Sequence, residues 1–538
     1  MISYVRRTLM LLLLLLFMLS MPCMVLAEDI VILHTNDIHC GVLDNVGFPR
    51  LAQYKKDLKK AGYKVLLVDA GDCVQGAPIG KLSQGESVVR IMNAVKYDFL
   101  IPGNHEFDYG MEQFFKLAKM QKSKYHSCNF IDLRTNKLPL FPYKIIKIGG
   151  KSLGFIGVTT PQTLNTSTPK FFQDETGNFI YGFFEDETGE KLYKQVQKTI
   201  DTVRKEGAEY VFIVGHLGMD GSIPRWASPA IVRNTRGLDA LIDGHSHEKY
   251  AARYEKNLDG KEILITQTGT KLQSIGKLVL KDDGSFESTL ETDLTNSDKK
   301  VEKLIAKENK KYEPILNQPV GETAFDIRSD NPADNVRRVR NGETNMGDFV
   351  ADAFKNVLDT DVAIVNGGSL RNNIKKGVFT YASLLEAFPF GNMCAAVECS
   401  GQTLLDALEF GASNYPEERG NFMQVSGITY TIDSRIPSSV KLDEKGNFVK
   451  VEGEYRVKDV MVNGKPLDLK ANYTVGGSNY VLKNGGDGNV MFKDCKLLQD
   501  GQISDVDAIM EYVQNYLNAK IPAEYAAWDG QKRITIIK

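Results

Sequence analysis

Five times in its first half the chain carries a short apolar run into a polar loop: DIVILHTNDIH, KVLLVDAGD, YDFLIPGNHE, EYVFIVGHLG and LDALIDGHSH. Runs of four to seven apolar, often β-branched residues, with helical stretches between several of them, read as strands buried on both faces of a sheet. LGFIGVTT and EILITQTGT repeat the pattern. This grammar restricts the first half to a layered α/β domain. In a parallel sheet the loops at the carboxyl ends of the strands gather on one edge, where ligands bind. The five polar loops are therefore expected to meet.

What the loops carry points to metal. In LIPGNHEFDYG, from Leu100 to Gly110, a buried strand releases an amide, an imidazole and two carboxylates, groups that are costly to bury unless something binds them. The chain has seven histidines, at 34, 39, 105, 126, 216, 245 and 247. Five of them sit at strand exits, alongside Asp37, Asp72 and Asn104. Imidazole, carboxylate and one amide oxygen suit borderline divalent ions such as Zn²⁺ or Mn²⁺, whereas thiolates would indicate structural zinc and an all-oxygen set Mg²⁺ or Ca²⁺. These candidate ligands are too many for one catalytic ion with an open position. Two ions about 3.5–4 Å apart, sharing a carboxylate, use them all.

The remaining chain sets the context. Arg6 and Arg7, an apolar run from Leu9 to Leu19 and Val25-Leu26-Ala27 read as a secretory signal over residues 1–27, shorter than the roughly 20 residues a membrane span needs. The expected product is exported, to a periplasm or the extracellular medium, without stable membrane insertion. Six cysteines remain: Cys40, Cys73, Cys128, Cys394, Cys399 and Cys495. Export permits disulfides, and six cysteines allow fifteen complete connectivities. Without the signal, 64 basic face 68 acidic residues, a balance that excludes nucleic-acid polymers as partners by bulk electrostatics. Residues 297–318 read as a charged connecting helix with one apolar stripe, ended by Pro319. It divides a first domain (28–296) from a second, smaller α/β domain (319–538). In the second, Asn345 with Asp348 reads as the cap of a helix reaching Val357, and the glycines of NGGSLR let backbone approach a ligand beside Asn366 and Arg371. The sequence assigns no oligomeric state.

HTNDIHCG, DAGD, GNHEFD, GHLG and GHSH, in this order, resemble the calcineurin-like metallophosphatase domain of the secreted 5′-nucleotidase and UDP-sugar hydrolase family. The NMG, NGG and GGDG motifs of the second half extend the resemblance to the C-terminus. It implies that Asp37 and His39 bind a first metal, that Asp72 bridges, that Asn104, His216 and His245 bind the second, and that His247 returns to the first. The ions implied are two divalent metals (Zn, Mn or Co). His105 is implied to face the phosphate, with Asp108 holding its ring; Glu106 is left structural, as are His34 and His126. The second domain is implied to bind the nucleoside and to swing its phosphate to the metals. Asn366 and Arg371 contact the nucleotide, Arg340 is a weaker candidate, Phe390 stacks on the base and Asp487 holds ribose or base. The second stacking ring is displaced: Val481 stands where relatives have an aromatic, and Tyr480 is one position off.

The expected activity is two-metal hydrolysis of nucleoside 5′-monophosphates, extending to UDP-sugars and other nucleotides. The alternatives are a 2′,3′-cyclic nucleotide phosphodiesterase or sulfur-ester hydrolase on the same scaffold, or a non-catalytic surface binding protein.

Overall fold

The central strands of the first domain alternate their side chains between two apolar environments, which is why their sequences are continuously apolar, whereas the edge strands KYAARYEK and FESTLE are largely polar and partly open to solvent. In chain order they are β1 (Ile30–Thr35), β2 (Lys64–Asp69), β3 (Phe99–Leu100), β4 (Tyr143–Ile148), β5 (Lys151–Thr159), β6 (Tyr210–His216), β7 (Ala240–Ile242), β8 (Lys249–Lys256), β9 (Glu262–Thr268), β10 (Ile275–Leu280) and β11 (Phe286–Glu291). This computed structural model describes residues 29–219 and 223–538, so the expected signal at 1–27 lies outside the described residues.

These strands divide between two sheets, ordered β11-β10-β1-β2-β3 and β8-β9-β7-β6-β5-β4. Ile30, Ile32, Leu66, Val68 and Phe99 of the first pack against Phe155, Phe212, Val214, Ala240 and Ile242 of the second. The alternate residues Val31, Leu33, Val65 and Leu67 turn outward, under helices α1 (Gly47–Lys60), α2 (Glu86–Val95) and α3 (Gly110–Met120). β1, β2 and β3 pair in parallel, as do β5, β6, β7 and β9. Each sheet thus has its own row of carboxyl ends, and the two rows lie side by side.

The connecting segment is two helices. α4 (Lys299–Lys310) is capped by Asp298, whose carboxylate accepts from the N–H groups of Lys300 and Val301, and a single turn follows at Glu313–Leu316. Val301 and Ile305 are buried in the first domain's core, and the Glu308 carboxylate accepts from Ser87 and Arg90 on α2. The helix therefore joins the halves while belonging by packing to the first.

In the second half, α5 (Asn345–Leu358) starts one residue earlier than its expected cap implied. Thr344 is the N-cap, its hydroxyl accepting from the Gly347 N–H. Asn345 instead ties Arg328 N–H and the carbonyls of Asp326 and Tyr525, and Asp348 accepts from the Gln531 N–H. Strands β12 (Val362–Asn366), β13 (Met393–Ser400), β14 (Met423–Ser426), β15 (Val440–Leu442), β16 (Phe448–Val451), β17 (Asn472–Ser478) and β18 (Lys496–Ser504) follow. Five of them form a mixed sheet ordered β14-β12-β17-β13-β18, while β15 and β16 make a separate hairpin. A four-stranded sheet containing Ile428–Asp433 completes the domain. Among the described residues no helix is long and apolar enough to cross a membrane.

Ile305 is 1% exposed. Ile305→Ala is expected to lower stability by about 2–4 kcal/mol, read as a fall in the urea midpoint at unchanged slope.

Candidate metal centre and substrate cavity

The loops leaving β1 and β2 are laced together by backbone. Asp37 N–H donates to Gly71 O, His39 N–H to Asp72 O and Cys40 N–H to Cys73 O. This lacing holds the chain in conformations it would otherwise avoid. Asp37 (φ 49°), His39 (45°), Asp72 (59°), His245 (83°) and His247 (58°) all have positive φ, sparsely populated by non-glycine residues and costing about 1–3 kcal/mol each. Glycine is required where the loops touch. A Cβ on Gly103 would lie 2.3 Å from Asp72 Oδ1, and one on Gly71 2.4 Å from Gly103 N.

All seven expected ligands come together here. His39 Nε2 and His247 Nε2 are 3.0 Å apart, and His247 Nε2 is 3.4 Å from Asp37 Oδ1. His216 Nε2 lies 3.1 Å from Asp72 Oδ2 and 3.1 Å from Asn104 Oδ1, which is itself 3.0 Å from His245 Nδ1. Asp72 Oδ2 is also 3.8 Å from His39 Nε2, so this carboxylate faces both clusters. Donors on one ion at about 2.0–2.2 Å are separated by little more than 3 Å, and these separations fit that. The ring nitrogens pointing away are also fixed. His39 Nδ1 faces Gln75 O at 3.2 Å, His216 Nδ1 faces Ala70 O at 2.7 Å, and His245 Nε2 faces Gln162 Oε1 at 3.0 Å. Carbonyl partners of this kind set the tautomer that bares the opposite nitrogen. The set fits divalent metal ions.

Glu106 holds the frame. Its buried carboxylate accepts from the N–H groups of Asp72 (2.8 Å), Cys73 (2.7 Å), Val74 (3.3 Å) and Gly103 (2.7 Å). Burial, with Asp72 nearby, pushes its pKa up to about 7 despite these donors. The same low dielectric shapes the ligands. Burial and neighbouring cationic groups keep His39 and His247 well below the ordinary imidazole value and lower His245 to about 3. His216 goes the other way: burial opposes its charge, yet the Asp72 and Asp37 carboxylates raise it to about 10. Asp72 is held low by His216, His105 and His39 against the cost of burial.

His105 stands between the metal ligands and the second domain. Its N–H donates to Asp72 Oδ1 at 2.8 Å, and its ring centroid is 5.3 Å from that of His39 and 5.5 Å from that of Phe390. Asp108 Oδ2 lies 2.6 Å from His105 Nδ1, while Ser167 donates to Oδ1 at 2.8 Å. Asp108 does not cap α3, whose N-cap is Tyr109. With Nδ1 occupied, His105 presents Nε2 to the cavity.

That cavity is about 730 Å³ and spans both domains. It is lined by Asp72, Asn104, His105, His245 and His247 on one side and by Arg340, Asn366, Arg371, Phe390, Tyr480 and Asp487 on the other. Asn366 Nδ2 donates to Asp487 Oδ2 at 2.7 Å. The Tyr480 hydroxyl is 3.1 Å from Asp487 Oδ1 and donates to Asn165 O across the junction at 2.8 Å. Val481 is buried in the apolar core, so Tyr480 is the residue that faces the cavity. Its ring lies flat on Gly486, where a Cβ would come within 2.4 Å of it. The Arg371 guanidinium sits 5.3 Å over the Phe390 ring. Burial and the neighbouring Arg337 push Arg371 down to about 10 and lower Arg340, whose Nε has no hydrogen-bond partner among the described residues. Arg337 is ion-paired with Glu418 at 2.8 Å, whereas Arg340 and Arg371 have no ion pair among the described residues, which makes this wall a receptor for negative charge. His34 and His126 lie outside the site: His34 is wholly buried in β1, and His126 stacks on Phe99 at 4.3 Å.

Two family models match the chain, calcineurin-like phosphoesterase over residues 30–249 and 5′-nucleotidase C-terminal domain over residues 319–494. The chain belongs to the 5′-nucleotidase family. It is a metal-dependent phosphoester hydrolase. Human 5′-nucleotidase is 28% identical over 94% of this chain and 91% of that protein. The fold is shared with the 5′-nucleotidase precursor of Thermus thermophilus (TM-score 0.78, 24% identity, 95% of this chain and 99% of that one). It is also shared with the sulfate thiohydrolase SoxB of the same organism (TM-score 0.71, 17% identity, 95% and 97%).

Sequence reasoning missed Gln162, Asn165 and Arg337. Gln162 and Asn165 follow β5, another parallel strand exit, so the rule that found the ligands reaches them too. Arg337 carries no such signal. In this family member, Asp72→Ala is expected to abolish both phosphate release and full metal occupancy, read by elemental analysis of the purified protein. Glu106→Gln should stay folded and bind metal about 10–100-fold more weakly, measured by competition with a chelating dye.

Proposed function

We propose that the protein hydrolyses nucleoside 5′-monophosphates to nucleoside and phosphate, with UDP-sugars and other nucleotides as further substrates. The observation that carries this reading is the shared cavity: Asp72, Asn104, His245 and His247 of the ligand cluster, with His105, line the same space as Asn366, Asp487, Phe390 and Tyr480. Residues 28–296 supply the phosphate chemistry, 297–318 connect, and 319–538 bind the nucleoside. The leading 27 residues direct the chain out of the cytoplasm.

Divalent ions held by Asp37, His39, Asp72, Asn104, His216, His245 and His247 supply Lewis-acid neutralisation of charge and activation of the attacking water. The chain's own groups do the rest. His105 directs Nε2 at the phosphoryl group and delivers a proton to the departing 5′ oxygen, while Asp108 fixes its ring and favours its charged form. In agreement, Asp108 and Asp72 raise the pKa of His105 against the effect of burial. Arg371, with Arg340, offers paired N–H donors to phosphate oxygens. Phe390 and Tyr480 give the base two aromatic surfaces, and Asp487, held by Asn366 and Tyr480, accepts from ribose or base hydroxyl and amino groups. Because a sulfate thiohydrolase shares the fold, the scaffold does not select the substrate; the nucleoside-type wall does.

Turnover of AMP, UMP, UDP-glucose and 2′,3′-cAMP, each with Zn²⁺, Mn²⁺, Co²⁺ and Mg²⁺ and read by chromatography of the nucleoside and nucleotide products, tests the reading. AMP and UMP should be the best substrates; turnover confined to 2′,3′-cAMP would refute it. His105→Ala should lower kcat for AMP by about 10²–10⁴-fold at similar KM. Tyr480→Ala should act mainly on KM, by the roughly 1–3 kcal/mol of a stacking contact.

A further inference from the structure

Of the six cysteines, two face each other across the edge of the second domain's sheet. β13 and β18 are antiparallel, with Val397 opposite Leu497 and Glu398 opposite Lys496. Continuing that register by one residue sets Cys399, the penultimate residue of β13, directly opposite Cys495, which precedes β18. Directly opposed residues in an antiparallel pair have Cα atoms about 4.5–5.5 Å apart, inside the roughly 4.4–6.8 Å that a disulfide bridges. The side chains share a face: Cys399 lies in the apolar cluster with Ala395 and Val397, and Cys495 packs against that cluster. The two thiols are close enough that each shifts the other's pKa, Cys399 upward and Cys495 downward. The Cys495 thiol also reaches Met491 O at 3.9 Å, and the Cys40 thiol donates to the Cys73 carbonyl at 3.5 Å.

We propose that Cys399 and Cys495 form a cross-strand disulfide, made by thiol–disulfide exchange and pinning the edge strand β18 to β13. Cys399 is buried while Cys495 is partly open, so Cys495 meets the oxidant first. Its thiolate attacks one sulfur of a small-molecule or protein disulfide and releases one thiol. Cys399 then attacks Cys495 Sγ in the mixed disulfide and releases the second. The oxidant takes up two electrons, and the two cysteine protons end on its thiols or in solvent. The nearby Cys399 thiol lowers the Cys495 pKa, which favours this order.

The bridge closes a place where pairing is weak. β18 is the outermost strand of its sheet, its ladder with β13 is irregular at two points, and Leu497 and Leu498 are exposed. A covalent tie at one end of such a ladder limits fraying and protects an open edge. Phe390 lies beyond the opposite end of β13, so the bridge acts on stability and leaves the chemistry alone. The pairing follows from strand register and does not require that the chain be exported; export would supply the oxidant.

The full-length protein, purified with reduced thiols, is incubated folded with oxidised glutathione, alkylated with iodoacetamide and mapped by mass spectrometry. The expected result is one linked peptide pair joining Cys399 to Cys495. Its reduction should lower Tm by several degrees in the wild type and leave Tm unchanged in Cys399→Ser and Cys495→Ser, with kcat/KM preserved throughout. Full alkylation of both residues after oxidation, or linkage of either to another cysteine, would overturn the proposal without touching the reading of the active site.

Discussion

Two buried carboxylates set the terms for the whole molecule. Asp37 and Asp72 are at most 1% exposed, and four imidazoles and an amide oxygen crowd around them. Burying such groups is strongly unfavourable unless positive charge compensates. A protonated His216 supplies some of that charge; divalent ions would supply it fully. The positive-φ residues, the Glu106 clamp and the carbonyls behind His39 and His216 all hold the donors in one arrangement before any ion arrives. That arrangement is costly locally, and the two-sheet core beneath it bears the cost.

The site is a junction of layers as much as a set of residues. Asp37, His39, Asp72 and Asn104 come from the first sheet, while His216, His245 and His247 come from the second. Only because both sheets present parallel carboxyl ends on the same side do the two groups meet. His105 then links this cluster to the second domain through its approach to Phe390. Contacts across the junction keep the walls together: Tyr480 to Asn165 O, Lys271 to Asn372 Oδ1 at 3.3 Å, and Asn165 and Arg225 to the tip of the β15–β16 hairpin.

Charge is divided between the walls to match a phosphate ester. One side offers a metal cluster, the other a group of arginines that repel each other, with Asp487 set back behind Asn366 and Tyr480. On the proposed function, a dianion entering between them would relieve the repulsion among the arginines, while the aromatic surfaces would take the base. Affinity and turnover therefore depend on the two domains being held together.

That these residues would gather was legible in the sequence, because strand exits in an α/β domain are marked by abrupt changes from apolar to polar. That helices lie between several of the strands was legible as well. The division into two facing sheets was not, since a strand buried on both faces reads the same whether helices or another sheet cover it. The cap of α5 passed from Asn345 to Thr344 because Asn345 is held by three distant backbone groups. Val481 and Tyr480 could not be ranked from spacing alone; packing decided, placing Val481 in the core and Tyr480 on Gly486. Glu106 was left structural, yet only the tertiary structure shows that its carboxylate collects four N–H groups from two loops. Sequence determined which groups the site holds, because chemistry resides in residue type. The fold decided which of them meet, because that depends on strand order and register, which no single stretch of chain encodes.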